Sequence, residues 1–528
     1  MEPKKMRLGY YRKVKTGCIT CKVRKVKCDE AKPHCNRCTS TGRRCDGYRE
    51  SATPDSRKRA ITIMSPHSPG LFASDRERRS FSYFQLHAGK SLGGYFNQAF
   101  WGRQVMQAAI HYPSIRHLVI ALGSAYESFE GRTASSEVEF IFQQSNASIK
   151  LLAASSDGTS QSRSQSPETV ASVLTASILF IYLASIQGYL SEAVQHVQSA
   201  IRLLRDYDRS SRRSSTSTES SSPSPTPPSS ANFPIPLPQL RSLLVSIYAQ
   251  LRIMIDSVDL NEPEDMLLSP LQPATIFVSV DEAHSHVERL LQNMHAFLQD
   301  TAYRPPTTPE QLEAVVARHR QLCRVLDSSR DALDVFAAKS ESEAGDPTAT
   351  RRAITTLRLY HLLISVRLRL NVFDQRGRES AYDQEDIDAS LRKMLGYCEL
   401  LAAQEREGGR SGDSISAAAA AATPSCSSGL GYVMPLHMIT ARCRDPMVRR
   451  RALELLLRSR RTEGIWNGRL TGLVARETVA IEEECSGRVR EVKVQFSGDR
   501  GAVVRYVTVD DWVEGKGLGE VRERRIEW

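Results

Sequence analysis

"GCITCKVRKVKCDEAKPHCNRCTSTGRRC", residues 17–45, holds six of the chain's eleven cysteines and threads lysine and arginine between them. The six are Cys18, Cys21, Cys28, Cys35, Cys38 and Cys45, so the spacing C-x2-C-x6-C occurs twice. Three arrangements could use such thiols. A disulfide framework needs an oxidising compartment, and the basic N-terminus "MEPKKMRLGYYRKVK" never reaches the apolar segment of a secretory signal. Scattered structural thiols would not repeat a spacing. Metal ligation fits, because a C-x2-C pair at the start of a helical turn points two thiolates at one ion. Six sulfurs cannot fill two separate four-thiolate sites, yet two tetrahedral Zn²⁺ ions are both satisfied if two sulfurs bridge. The metal would also supply folding energy, since a segment of about 30 residues cannot bury a sufficient core alone.

Charge is concentrated in the same place. Residues 1–60 carry eighteen Lys or Arg against six Asp or Glu, whereas the remainder of the 528-residue chain is close to neutral. A basic block of this density is a polyanion-binding surface or an address signal. Two Zn²⁺ and six thiolates sum to −2, so the metal-loaded block stays near +10.

Across Cys18–Cys45 the chain resembles the fungal Zn(2)-Cys(6) binuclear cluster of transcription factors, with Pro33 matching the proline of the family's central loop. The resemblance implies two Zn²⁺ ions bridged by Cys18 and Cys35. Cys21 and Cys28 would complete one site, and Cys38 and Cys45 the other. It also implies double-stranded DNA as partner, a CGG-type half-site, and Lys25 as the main base contact with Arg24 beside it. The residues themselves agree on which half meets DNA. Lys22, Arg24, Lys25 and Lys27 separate Cys21 from Cys28, whereas "TSTGRR" separates Cys38 from Cys45. Only the first half carries the charge to enter a major groove, where Lys and Arg meet guanine O6 and N7. Lys22 and Lys27 are expected on phosphates. So are Arg12, Lys13 and Lys15 before the cluster and Arg57, Lys58 and Arg59 after it, setting affinity without reading sequence. The flanking residues could equally serve as a nuclear import signal.

The expected organisation is a Zn(2)-Cys(6) domain at 16–48 and a flexible linker at 49–75. A helical regulatory region follows in two parts, 76–207 and 233–485, around a disordered Ser/Pro-rich insertion at 208–232, and 486–528 form a β-hairpin tail. Helical periodicity supports the body: "AVQHVQSAIRLL" spaces Val194, Val197, Ile201 and Leu204 by three, four and three. The insertion, "RSSRRSSTSTESSSPSPTPPSSA" at its core, is low-complexity. "RVREVKVQF" and "VVRYVTV" flank "SGDRGA" as a hairpin would. "ARCRDPMVRRRALELLLRSRRTEGIWNG" followed by "IEEE" is similar to the end of the regulatory region in filamentous-fungal zinc-cluster regulators. The uncharged run Val170–Ile186 is short for a membrane span and diluted by Ser and Thr, and reads as a buried helix. Between Tyr48 and Arg76 there are no a/d heptads, so a homodimer is expected only through the helical body.

No catalytic constellation emerges. His284 and His286 stand two apart, which on a helix points them in different directions. "GKGLG" at Gly515 has the wrong pattern for a phosphate cradle. Cys323, Cys398, Cys426, Cys443 and Cys485 are dispersed. The sequence therefore reads as a mainly α protein and not an enzyme, with a two-zinc cluster before a large helical domain. The expected role is a nuclear, sequence-specific regulator of RNA polymerase II genes that works with the transcription machinery, not a membrane protein. In filamentous fungi the resemblance points to a secondary-metabolite gene cluster. The alternative is a nuclear adaptor that keeps the cluster for structure and binds protein partners through the body.

Overall fold

The computed structural model describes residues 18–24, 26–46, 70–132, 137–156, 166–216, 233–254, 271–342, 347–370, 384–408, 424–485, 489–496, 501–508 and 521–527. The chain divides into two units, Met1–Ser68 and Pro69–Trp528. The linker residues up to 69, the proline-rich heart of the insertion and "GKGLG" lie outside the described residues.

In the first unit two short helices, α1 (Ile19–Val23) and α2 (Asn36–Thr39), carry the cysteine pairs. In the second unit the N-terminal half holds α3 (Asp75–Tyr83), α4 (Gly89–Gly93), α5 (Val105–His111) and α6 (Pro113–Phe129). It continues with α7 (Glu137–Ser156), α8 (Pro167–Gln187), α9 (Leu190–Thr216) and α10 (Leu237–Met254). The next half holds α11 (Val280–Tyr303), α12 (Pro309–Ser342), α13 (Pro347–Leu370), α14 (Gln384–Gly408), α15 (Val433–Arg442), α16 (Pro446–Arg458) and α17 (Gly468–Cys485).

Local sequence explains many of these boundaries. Ser74 accepts from the Glu77 N–H while Glu77 reaches back to the Ala73 N–H, a capping box that starts α3. The same box, Ser279 with Glu282, starts α11. Asp445 before Pro446 caps α16 by accepting from Met447 N–H at 2.9 Å. α8 starts at Ser166-Pro167 and ends at Gly188, whose φ of 86° is the left-handed conformation that glycine adopts without strain.

α8 is long and apolar enough to cross a membrane, yet 72% of its most apolar window is buried inside the body. Tyr182 meets Trp101 edge-on with ring centroids 5.0 Å apart. Around them Phe84, Phe100, Leu118, Tyr126, Val197 and Leu244 make the first core. Val194, Val197, Ile201 and Leu204 are all buried, as their spacing predicts. A second core gathers α11–α16 around Phe297, Leu357, Tyr360, Leu391 and Ile439. His284 and His286 are buried, stacking on Phe96 and tilting against Phe277. Burial pushes their pKa values down to about 3 and about 4, so both are neutral core groups near pH 7.

Three features depart from the expected architecture. First, α9 runs to Thr216, into the stretch expected to be disordered from 208. Composition argues against that helix, but Arg241 of α10 grips Asp208 through both terminal nitrogens, and Arg209 pairs with Asp206 one turn back. Second, the tail is a three-stranded antiparallel sheet, not a hairpin alone. β4 (Val489–Phe496) pairs with β5 (Gly501–Thr508), and β5 also pairs with β6 (Arg522–Glu527). "RERRIE" has one apolar residue, Ile526, and so hides its strand character; Ile526 sits opposite Ala502 in the buried face. Third, a small mixed sheet lies within the region expected to be all-helical. Its strands, β1 (Ser425–Ser427), β2 (Arg461–Glu463) and β3 (Trp466–Asn467), are too short to show alternation.

That small sheet carries a buried charge network. Arg461 pairs with Glu463 at 2.5 Å and with Glu405, and donates to Ser427 Oγ at 3.1 Å. Glu463 also accepts from the Tyr432 and Val433 N–H groups at 2.9 and 3.0 Å, closing the start of α15. Gly431 is obligatory for this approach, because a Cβ there would lie 1.9 Å from Glu463 Oε1. The network ties α14, α15 and the sheet together.

Candidate metal centre and nucleic-acid interface

The duplicated spacing folds into a duplicated local structure. Cys18 is the N-cap of α1 and its sulfur accepts from the Cys21 N–H at 3.3 Å; Cys35 is the N-cap of α2 and accepts from the Cys38 N–H at the same distance. The Cys18 and Glu30 N–H groups donate to Cys28 Sγ at 3.3 and 3.4 Å. All six sulfur-bearing residues are buried, between 0 and 6% exposed, in a segment with little apolar core of its own.

The sulfurs form two groups of four, Cys18–Cys21–Cys28–Cys35 and Cys18–Cys35–Cys38–Cys45, with the atoms of each group within 4.8 Å of one another. Cys18 and Cys35 belong to both. Their sulfurs are 3.5 Å apart, Cys21 Sγ lies 3.7 Å from that of Cys35, and Cys18 Sγ lies 3.9 Å from that of Cys38. Such separations are far beyond a disulfide bond of about 2.05 Å. They match the edge of a zinc–thiolate tetrahedron, about 3.8 Å for Zn–S bonds of about 2.3 Å. Burial pushes the Cys18 thiol up to about 12 and raises Cys21 and Cys35 as well. Sulfurs so enclosed carry negative charge only beside a cation, so the pocket suits a pair of ions that displace the protons. The donor set therefore fits two zinc ions, which is what a Zn(2)-Cys(6) domain binds.

Two carboxylates lock the halves together, and sequence reasoning passed over both. Asp29 Oδ2 accepts from the Asn36 N–H at 2.9 Å, so the residue after the third cysteine holds the start of α2. Asp46 accepts from Thr20 Oγ1 at 2.8 Å and its N–H donates back to that oxygen at 3.0 Å, tying the residue after the sixth cysteine to α1. Although desolvation raises the Asp29 pKa, the Arg37, Asp29 and Asn36 N–H groups outweigh it and hold the carboxyl below its usual range. The signal was in the duplication, which extends one residue further, to Cys28-Asp29 and Cys45-Asp46. We expect Asp29→Ala or Asp46→Ala to weaken zinc retention roughly tenfold, the lower end of what groups behind metal ligands contribute. Competition with a chromophoric chelator measures this; unchanged zinc affinity in both variants would remove the assigned role.

Of the residues expected to meet DNA, Lys22 and Lys27 are exposed beside the cluster. Arg24, which closes α1, is half-buried with Nη1 enclosed and without a hydrogen-bond partner, so it is less free to reach outward. Val23 between them is 77% exposed, an apolar side chain on the same short helix. Lys25, Arg57, Lys58 and Arg59 lie outside the described residues. Among the described residues, the groups of three or more metal-ligating side chains are the two cysteine sets alone. Cys398, Cys426 and Cys443 are separately buried and Cys323 is half-buried.

Comparison with known proteins agrees with this geometry. Residues 16–55 match the fungal Zn(2)-Cys(6) binuclear cluster domain, and residues 81–264 match the fungal specific transcription factor domain. The aspercryptin biosynthesis cluster-specific transcription regulator of Emericella nidulans is 24% identical over 90% of this chain and 88% of its own length. A transcription regulator of Purpureocillium lilacinum is 26% identical over 36% of this chain and 48% of its own. A transcriptional regulatory protein of Schizosaccharomyces pombe is 49% identical over 10% of each chain. No solved structure matches.

Proposed function

For this member of the fungal Zn(2)-Cys(6) transcription regulators, we propose a nuclear, zinc-dependent and sequence-specific DNA-binding role in transcription of RNA polymerase II genes. The observation that carries the proposal is the pair of four-sulfur groups sharing Cys18 and Cys35, set against the basic run Lys22–Lys27. The six cysteines are the zinc ligands, with Cys18 and Cys35 bridging. When bound, the ions supply charge neutralisation and a fixed framework. The chain's own residues hold α1 by its cysteine cap, present Lys22 and Lys27 to phosphates, and offer Lys25 to the base edges of a CGG-type half-site. The full-length similarity to a biosynthesis cluster-specific regulator supports control of a biosynthetic gene cluster, and the helical body is the surface for a homodimer and for the transcription machinery.

Reading and holding separate experimentally. Lys25→Ala should cost about 1–3 kcal/mol on the cognate duplex and much less on random DNA. Neutralising Arg57, Lys58 and Arg59 should weaken both duplexes alike. It should also flatten the plot of log affinity against log salt by up to about 0.9 for every phosphate no longer neutralised. Equal losses on both duplexes for Lys25→Ala would place that lysine on a phosphate and move base reading elsewhere on the segment.

A further inference from the structure

The outer face of α7 is apolar and uncovered among the described residues. Val138, Phe142 and Ile149 are 57, 65 and 49% exposed, while Phe140, Ile141, Gln144 and Ser148 on the opposite side are buried in the body. With Ser145, the exposed residues follow a spacing of four, three and four, the seam by which one helix packs on another. An exposed apolar stripe of this kind marks an interaction surface. Its flank says which partner fits. Glu139 and Lys150 stand eleven residues apart on one exposed edge, about 16 Å along the axis. Lys150 forms no salt bridge with another described residue, and Glu139 is engaged by Gln143 of its own helix. Turning a second α7 end for end about an axis near Ser145 brings Glu139 of each copy beside Lys150 of the other. In a parallel pairing this edge of each copy falls on opposite sides of the seam, and the Glu139–Lys150 contacts are lost.

We propose that α7 is a homodimer interface, packing antiparallel against α7 of a second copy. The proposal rests on the homodimer reading above and names its surface. A 20-residue helix is about 30 Å long, and one helix pair reaches only the lower end of the roughly 1,200–2,000 Å² buried by stable interfaces. The dimer is therefore concentration-dependent. It joins two zinc-cluster units in one particle.

Sedimentation equilibrium of the full chain tests this. The wild type should show a monomer–dimer equilibrium, and Phe142→Glu should raise the dissociation constant at least tenfold with an unchanged melting temperature. Glu139→Lys and Lys150→Glu should each weaken the dimer, and the two together should restore it; that restoration does not depend on how Phe142→Glu folds. A wild-type dimer with the same constant as Phe142→Glu would overturn the α7 interface and leave the homodimer reading standing. Failure of the double exchange to restore a dimer that its single members weaken would overturn the antiparallel arrangement. A wild type that stays monomeric to about 100 µM would overturn both the interface and the homodimer reading.

Discussion

Replacing Cys18 or Cys35 with alanine is expected to take the zinc content from two ions per chain to none, whereas replacing Cys28 or Cys45 leaves one. The asymmetry follows from membership: Cys18 and Cys35 lie in both four-sulfur groups, and each of the other four cysteines lies in one. A zinc ion left with three thiolates no longer has the closed four-ligand set of a structural site, and removing a shared sulfur leaves both ions in that condition. Because the segment owes its fold to the metal, loss of both ions also removes specific DNA binding. Specific sites typically bind about 10³-fold or more tighter than random DNA, so affinity should fall to the non-specific level. Native mass spectrometry of the variants reads the metal count directly. Equal loss in all four variants, or one residual ion in Cys18→Ala, would refute the shared-sulfur arrangement.

The second large effect lies in the body. Arg461 is 8% exposed and neutralises Glu463, 4% exposed, while also pairing with Glu405. Arg461→Met keeps the bulk but strands both carboxylates, and breaking a buried ion pair from one side costs about 3–5 kcal/mol. Most of that penalty is uncompensated charge rather than lost attraction. Adding Glu463→Gln to the variant should therefore recover part of it, because the charge is gone, although the amide oxygen can accept from only one of the Tyr432 and Val433 N–H groups, which in the wild type meet different carboxylate oxygens. Denaturant unfolding of the full chain measures both changes. A single-variant loss under about 1 kcal/mol would mean that water already reaches the pair.

The cluster was legible in the sequence because its information is local. Six ligands in 28 residues at repeated spacing leave few geometries, and the sulfurs meet as that spacing demands. The helices of the body were legible for a related reason: Val194, Val197, Ile201 and Leu204 announce a buried face through their own period. What escaped depends on distant partners. Ser425–Ser427 becomes a strand only because Arg461–Glu463 lies parallel beside it, 36 residues later in the chain. Asp208 stays helical because Arg241 holds it, and no local composition reports that grip. Arg461 itself stands in a run of arginines that reads as solvated surface, yet it is the member buried among acids. Asp29 and Asp46 were visible as extensions of the repeat, and only the fold reveals which helix each one holds.

The most direct test of the central claim is a fluorescence titration of the full chain against a CGG-containing duplex and a scrambled one, with zinc and after its removal by chelation. Tight binding to the CGG duplex alone, lost on chelation and regained when zinc is returned, is the predicted result. Equal affinity for both duplexes, or binding that survives complete zinc removal, would contradict zinc-dependent, sequence-specific recognition and leave the cluster as a structural element of a protein-binding adaptor.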